Sequence, residues 1–179
     1  MRVRRVVTGY TADGKATIAS DSDVEGITLE TLPGNEFVRL WGADETLIFP
    51  DDCSPPSFPS YFPPVNGFRF GLFTVPPMSE ATSEDIDVAA VLRELEEKLP
   101  GMAAHMEPDN PGMHTTDTVD FEYVISGEVW LEVDNGEEVH LKAGDTVVQS
   151  GTRHAWRNKS SEPCRMVVCL IGAKRRDSG

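Results

Sequence analysis

A chain of 179 residues, 39% hydrophobic and 26% charged, has the make-up of one ordinary globular domain and is too short for two comfortable cores. Sixteen Lys and Arg against thirty Asp and Glu leave a formal charge of -14, which repels phosphate backbones and anionic headgroups, so neither nucleic acid nor a membrane surface is expected as a partner. No apolar run approaches the roughly 20 residues that span a bilayer. The opening MRVRRVVTGYTADG lacks the apolar stretch of a signal peptide, and the expected compartment is cytoplasmic. Cys53, Cys164 and Cys169 are odd in number and lack CxxC spacing, which predicts neither a disulfide framework nor a cysteine zinc site.

In chain order the signals are mostly β. VRRVVTGY and KATIAS flank Asp13-Gly14, a pair suited to a tight hairpin turn. FVRLWG and ETLIF follow as apolar stretches, and then DDCSPPSFPSYFPPVNG, too rich in proline to donate to a sheet ladder, reads as a long loop or edge covering. FRFGLFTV is the next expected strand. From Thr82 the period changes: Val88, Val91, Leu92, Leu95 and Leu99 share one face of a helix expected over 83–99, capped by Thr82 with Asp85, or by Ser83, and stopped by Pro100-Gly101. Its acids Glu94, Glu96 and Glu97 read as a solvated face without chemistry. FEYVISG, EVWLEVD, EVHLK, DTVVQ and CRMVVCLIG are then short strands divided by glycine turns, the pattern of an antiparallel sandwich or barrel.

Residues 1–105 are thus expected to supply strands, a proline-rich loop and a helix packed on a barrel formed by 106–174, the whole making one structural domain. FEYVISGEVWLEV and CRMVVCLIG carry apolar residues in both phases, which predicts that both sheet faces are covered, the N-terminal strands and the helix supplying part of the cover and a homodimer the rest.

The candidate site lies in GMHTTDTVDFEYVISG. His114 and Asp120 would stand about 20 Å apart on one straight strand. If Thr115 to Thr118 form a turn, Asp120 returns across from His114 and an imidazole meets a carboxylate. A second segment, LKAGDTVVQSGTRHAWRN, places His154 at the head of a short strand with Trp156 and Asn158 on its face.

Together the two segments, over roughly residues 110 to 172, resemble the cupin superfamily. In its first motif His114 matches the first histidine, Thr116 stands at the second, Asp120 replaces the glutamate, and Gly127 closes the motif. In the second motif Gly144, Gly151, His154 and Asn158 match, with Gln149 at the usual proline. The resemblance implies an antiparallel cupin β-barrel of the jelly-roll type, and one divalent ion (Fe, Mn, Zn or Ni) held by His114, Asp120 and His154, with Glu122 as an alternative carboxylate. It further implies metal-assisted acid–base chemistry on a small molecule, a lyase such as a decarboxylase or dehydratase, or an isomerase, with Glu122, Asp120 and His154 catalytic. An Fe(II) oxygenase acting on a small aromatic or enol substrate and a non-catalytic metabolite-binding domain are the alternatives. Thr116, Gln149 and Trp156 are the expected pocket residues. His140 is expected at the surface, and His105 in the loop before the barrel is given no role.

Overall fold

A computed structural model describes residues 1–57, 59–78 and 87–176. Strands β1 (Arg2–Tyr10) and β2 (Ala16–Glu25) pair as an antiparallel hairpin across the Asp13-Gly14 turn, where Gly14 has φ +80. Two further sheets face each other. The larger takes β3 (Ile27–Thr28), β4 (Glu36–Ala43), β5 (Phe68–Val75), β11 (Cys164–Gly172), β6 (Thr118–Ser126) and β9 (Thr146–Gln149) in that spatial order. The smaller orders β10 (Ala155–Arg157), β7 (Glu128–Glu132) and β8 (Glu138–Lys142). Every pairing is antiparallel. ETLIF lies outside the strands, because β4 ends at Ala43.

Period-two alternation on β6, β7 and β11 builds the core. Val124, Met166 and Val168 from the larger sheet meet Val129, Leu131 and Leu141 from the smaller. Helix α1 (Val88–Lys98) packs a second cluster of Leu95 and Leu99 with Leu29 and Met102. Asp87 caps it, accepting a hydrogen bond from the Ala90 N–H at 3.0 Å; the caps expected at Thr82, Ser83 and Asp85 lie outside the described residues. No helix among the described residues is long and apolar enough to cross a membrane.

Two expectations need correction. Glu94 is not a solvated helix acid, since its carboxylate accepts from the Glu30 and Thr31 N–H groups and the Lys98 ammonium, which clamps α1 to the chain after β3. Phe121, Tyr123, Ile125 and Val148 are exposed on the outer face of the larger sheet within the single chain. Residues 115–118 do not form the expected hydrogen-bonded turn. His114 bridges to His154 instead, and Asp120 pairs with Leu170 on one side and Gln149 on the other. The segment is held extended by the Arg175 guanidinium, which donates to the Thr116 and Gly151 carbonyls and to Asp117, so that strand pairing with β11 and β9 replaces folding back.

Candidate functional site: a carboxyl pair and an imidazole pair on one cavity

Strand β6 runs against the usual alternation. Its aromatic residues, Phe121 and Tyr123, point outward, while Thr118, Asp120 and Glu122 point in with Val124. Asp120 and Glu122 are 3% and 6% exposed, and the register sets them between β11 and β9, where neither sheet neighbour brings a cation. Asp120 Oδ1 and Glu122 Oε2 are buried without a hydrogen-bond partner among the described residues. An orphaned buried carboxyl oxygen is costly, above all in its ionised form.

The charge state follows from this burial. Desolvation pushes Asp120 up to about 6, with the Thr118 hydroxyl pulling the other way. Burial, and then the neighbouring Asp120 charge, raises Glu122 well above the usual carboxylate range. Two carboxyls this close and this dry hold a proton between them near neutral pH.

The histidines form a second pair. His114 and His154 exchange two backbone hydrogen bonds, and their ring centroids lie 4.1 Å apart. Each Nδ1 donates to a carbonyl two residues back, Gly112 at 3.0 Å and Thr152 at 2.9 Å. Carbonyl oxygens only accept, so both Nδ1 atoms carry the proton and both Nε2 atoms are left as acceptors. Burial, and then His114, lowers His154 to about 4, and burial lowers His114 in the same direction. Both rings are neutral at pH 7.

All four side chains line one cavity of about 780 Å³, together with Trp156, and α1 forms its opposite wall. Of the expected pocket residues, Trp156 is in the wall and packs against Phe73 and His154. Thr116 and Gln149 are not: Thr116 hydrogen-bonds Thr118 at 2.8 Å, and Gln149 closes the turn onto Thr152. His140 is at the surface, stacked on Trp130 and bonded to Glu128. His105 holds the Thr115 carbonyl at 2.9 Å and packs on Phe62.

Sequence reasoning passed over Tyr61, which lies in the proline-rich segment read as covering. Its ring packs edge-on to Phe37 and Phe62 in the cavity wall, and burial raises its phenol, with the charges of Asp120 and Glu122 adding to the effect. The available signal was a Tyr-Phe pair among prolines, since aromatics in a covering loop tend to be its buried anchors.

The family model for the cupin domain, Cupin_2, matches residues 103–170. Oryzines biosynthesis cluster protein J of Aspergillus oryzae is 56% identical over 65 residues, 36% of each chain. A cupin-domain-containing oxidoreductase of Neurospora crassa, srdB, is 35% identical over 79 residues, 41% of this chain and 40% of that one. The matched stretch therefore spans well under half the length of these curated relatives. Among solved structures, the Schizosaccharomyces pombe Cnp3 cupin domain aligns with 94% of this chain and 87% of its own at a TM-score of 0.49 and 10% identity.

The divalent ion implied by this family can be tested against the donor set. Two imidazole Nε2 atoms are available together, but no three His, Cys, Asp or Glu side chains among the described residues are grouped to hold a metal ion. His114, Asp120 and His154 are thus an imidazole pair and a separate carboxyl on one cavity and do not make a three-ligand set. The cupin-domain match covers residues 103–170, under half of this chain, and that stretch carries both the carboxyl pair and the imidazole pair.

Proposed function

We propose that this chain is a small-molecule enzyme that moves protons on a carbonyl substrate, an isomerase or a dehydratase, with Asp120 and Glu122 as the acid–base pair. The observation that carries this reading is two carboxyls on one face of β6, each with a buried, unpartnered oxygen, opening on a cavity of about 780 Å³. Cavities of several hundred Å³ with a few convergent polar groups are the usual form of a small-molecule site.

In this reading the Asp120 carboxylate takes a proton from the carbon beside the carbonyl, and the Glu122 carboxyl gives its proton to the carbonyl oxygen, leaving a neutral enol. Where the carbon beside the carbonyl bears a hydroxyl, the enol is an enediol: Asp120 returns its proton to the former carbonyl carbon as the other hydroxyl gives its proton to Glu122, which yields the isomer and restores both groups. Expelling a β-hydroxyl group as water, with the proton that Asp120 took, yields an unsaturated ketone as the enol proton goes back to Glu122. The Nε2 atoms of His114 and His154 accept hydrogen bonds from substrate hydroxyls and so orient the molecule. Trp156 and Tyr61 keep water from the enol. The biosynthesis-cluster relative supports a small-molecule role.

Proton exchange tests the reading directly. In deuterated water, exchange at the carbon beside a ketone carbonyl is expected to be accelerated by the protein, and Asp120→Asn or Glu122→Gln should lower that rate by about a hundredfold or more. Absence of exchange over a panel of ketones, or full exchange by both variants, would reject the pair as the catalyst. The name of the srdB relative favours a second reading, oxidation of a similar small molecule. Oxygen consumption together with a bound redox metal in chelator-free protein would favour it over proton transfer.

A further inference from the structure

We propose that the substrate of this site is a non-anionic molecule with a carbonyl head and a hydrocarbon body that extends from the Asp120–Glu122 pair to the inner wall of α1. The inference rests on the reading of the carboxyl pair as the reacting end.

The cavity has two unlike ends. At the barrel end stand Asp120, Glu122, His114 and His154; at the helix end the wall is Leu29, Val91, Leu92, Leu95 and Met102. These helix-end side chains belong to the second apolar cluster, which packs beside the barrel core and leaves the cavity running between the two. Only hydrocarbon recovers the free energy of covering such a wall, at about 25 cal/mol per Å².

Charge decides the head. The one cationic side chain in the described wall is Arg157, and its charge is already paired: it donates to Glu132 at 2.6 Å, and two further N–H groups go to the Pro111 carbonyl at 2.6 Å and to Asn110 at 3.3 Å. Asp87 is spent on the cap of α1, and Asn158 on the Val75 and Glu162 carbonyls. An anionic head would therefore lie beside two carboxyls with no counter-ion, and burying an uncompensated charge is prohibitive. A carbonyl or hydroxyl is matched by what the barrel end offers, which is a carboxyl proton to donate and carboxyl and Nε2 lone pairs to accept. Val91 and Leu92, half-buried on α1, then set how long a body the cavity takes.

Binding measured without turnover tests the inference. Alkan-2-ones of five to twelve carbons and the matching alkanoates would be titrated by calorimetry into wild type, Val91→Phe and Leu92→Phe. Expected are ketone affinities that rise with chain length to a ceiling, alkanoates weaker by about tenfold or more at equal length, and a ceiling moved to shorter chains in the two variants while short ketones bind as before. Alkanoates that bind as tightly as ketones, affinity indifferent to length, or a ceiling unmoved in both variants would overturn it. The expected binding pattern without deuterium exchange would leave the substrate class standing and remove the proton-transfer reading; exchange of ketones whose affinity ignores length would do the reverse.

Discussion

His154 and His114 bond to each other through their backbones in both directions, at 3.0 Å each, and each ring is pinned through Nδ1 to a carbonyl two residues earlier in the chain. The barrel therefore presents two neutral imidazoles, ring centroids 4.1 Å apart, whose Nε2 atoms are left as acceptors. Two nitrogen donors without a third protein ligand bind a divalent ion weakly. Calorimetry with Zn²⁺ is expected to give a dissociation constant on the order of micromolar or weaker, lost in the double variant His114→Ala, His154→Ala. Chelation should leave the thermal midpoint within about 1 °C, whereas a structural zinc contributes about 10 kcal/mol and its removal collapses a fold. Nanomolar affinity, or a large drop on chelation, would show that Asp120 or Glu122 swings in as the third ligand.

The buried groups predict opposing pH effects on stability. Asp120 is raised from an ordinary value near 3.8 to about 6, so between these pH values the unfolded chain has lost the proton that the folded chain keeps, and stability falls as pH rises. The whole contribution is about 3 kcal/mol. His154 is lowered from about 6.5 to about 4, so over that window the unfolded chain binds a proton that the folded chain refuses, and stability rises with pH by a similar amount. Glu122, also raised by burial, adds to the falling slope, and His114, also lowered, adds to the rising one. Relative to wild type, Asp120→Asn should tilt stability toward rising with pH and His154→Gln toward falling, read from urea unfolding at several pH values. Parallel curves for wild type and both variants would contradict the assignment.

The strands, the helix and the paired segments around His114 and His154 were legible because each is written in a local code. Asp13-Gly14 asks for a hairpin, Val91, Leu92 and Leu95 ask for a helix face, and Ser126-Gly127 and Ser150-Gly151 break strands. Less legible was anything decided by strand order. Asp120 was paired in prospect with His114, four threonine and aspartate residues away by a turn, but β6 sits between β11 and β9, and that neighbourhood is set by chain more than twenty residues distant. The same distance hid Tyr61 and the clamp from Glu94 to Thr31, since a proline-rich loop and an acidic helix face look solvated until the element they cover is known. Gln149 fills the position of a motif proline but spends its amide on Thr152, which no periodicity announces.

The carboxyl pair also fixes the pH profile of any catalysed proton transfer. Asp120 must be ionised to act as base, so the rate on a neutral ketone should rise as pH passes through about 6. Glu122 must keep its proton, and burial with the adjacent Asp120 charge holds that loss to pH values well above the usual range, which sets a falling limb at higher pH. Glu122→Gln should remove the falling limb and leave the rising one. A rate that falls through pH 6, or a falling limb that persists in Glu122→Gln, would exchange or cancel these roles.

Asn158 is fully buried, lines the cavity and joins three parts of the chain. Its amide donates to the Val75 carbonyl at 2.9 Å and the Glu162 carbonyl at 2.8 Å, and its side-chain oxygen accepts from the Ser160 N–H and hydroxyl. Its own carbonyl accepts from Met78, beyond the Pro76-Pro77 exit of β5. Truncation removes both donations and leaves the Ser160 N–H without its acceptor, while the Glu162 carbonyl keeps the Ser160 hydroxyl; a buried polar group left unpaired costs about 1–3 kcal/mol. Asn158→Ala is therefore expected to cost about 3 kcal/mol, or roughly 10 °C in thermal midpoint for a domain of this size. Because Val75, Pro76, Pro77 and Met78 all line the cavity, the same variant should weaken ketone binding more than it slows exchange at saturation. Asn158→Asp keeps the oxygen that Ser160 needs but loses both donations, and it should be no more stable than the alanine variant. Denaturation midpoints for the two, beside the saturation curve of the alanine variant, check the argument; a midpoint within about 2 °C of wild type would mean that Ser160 and the backbone alone hold these parts together.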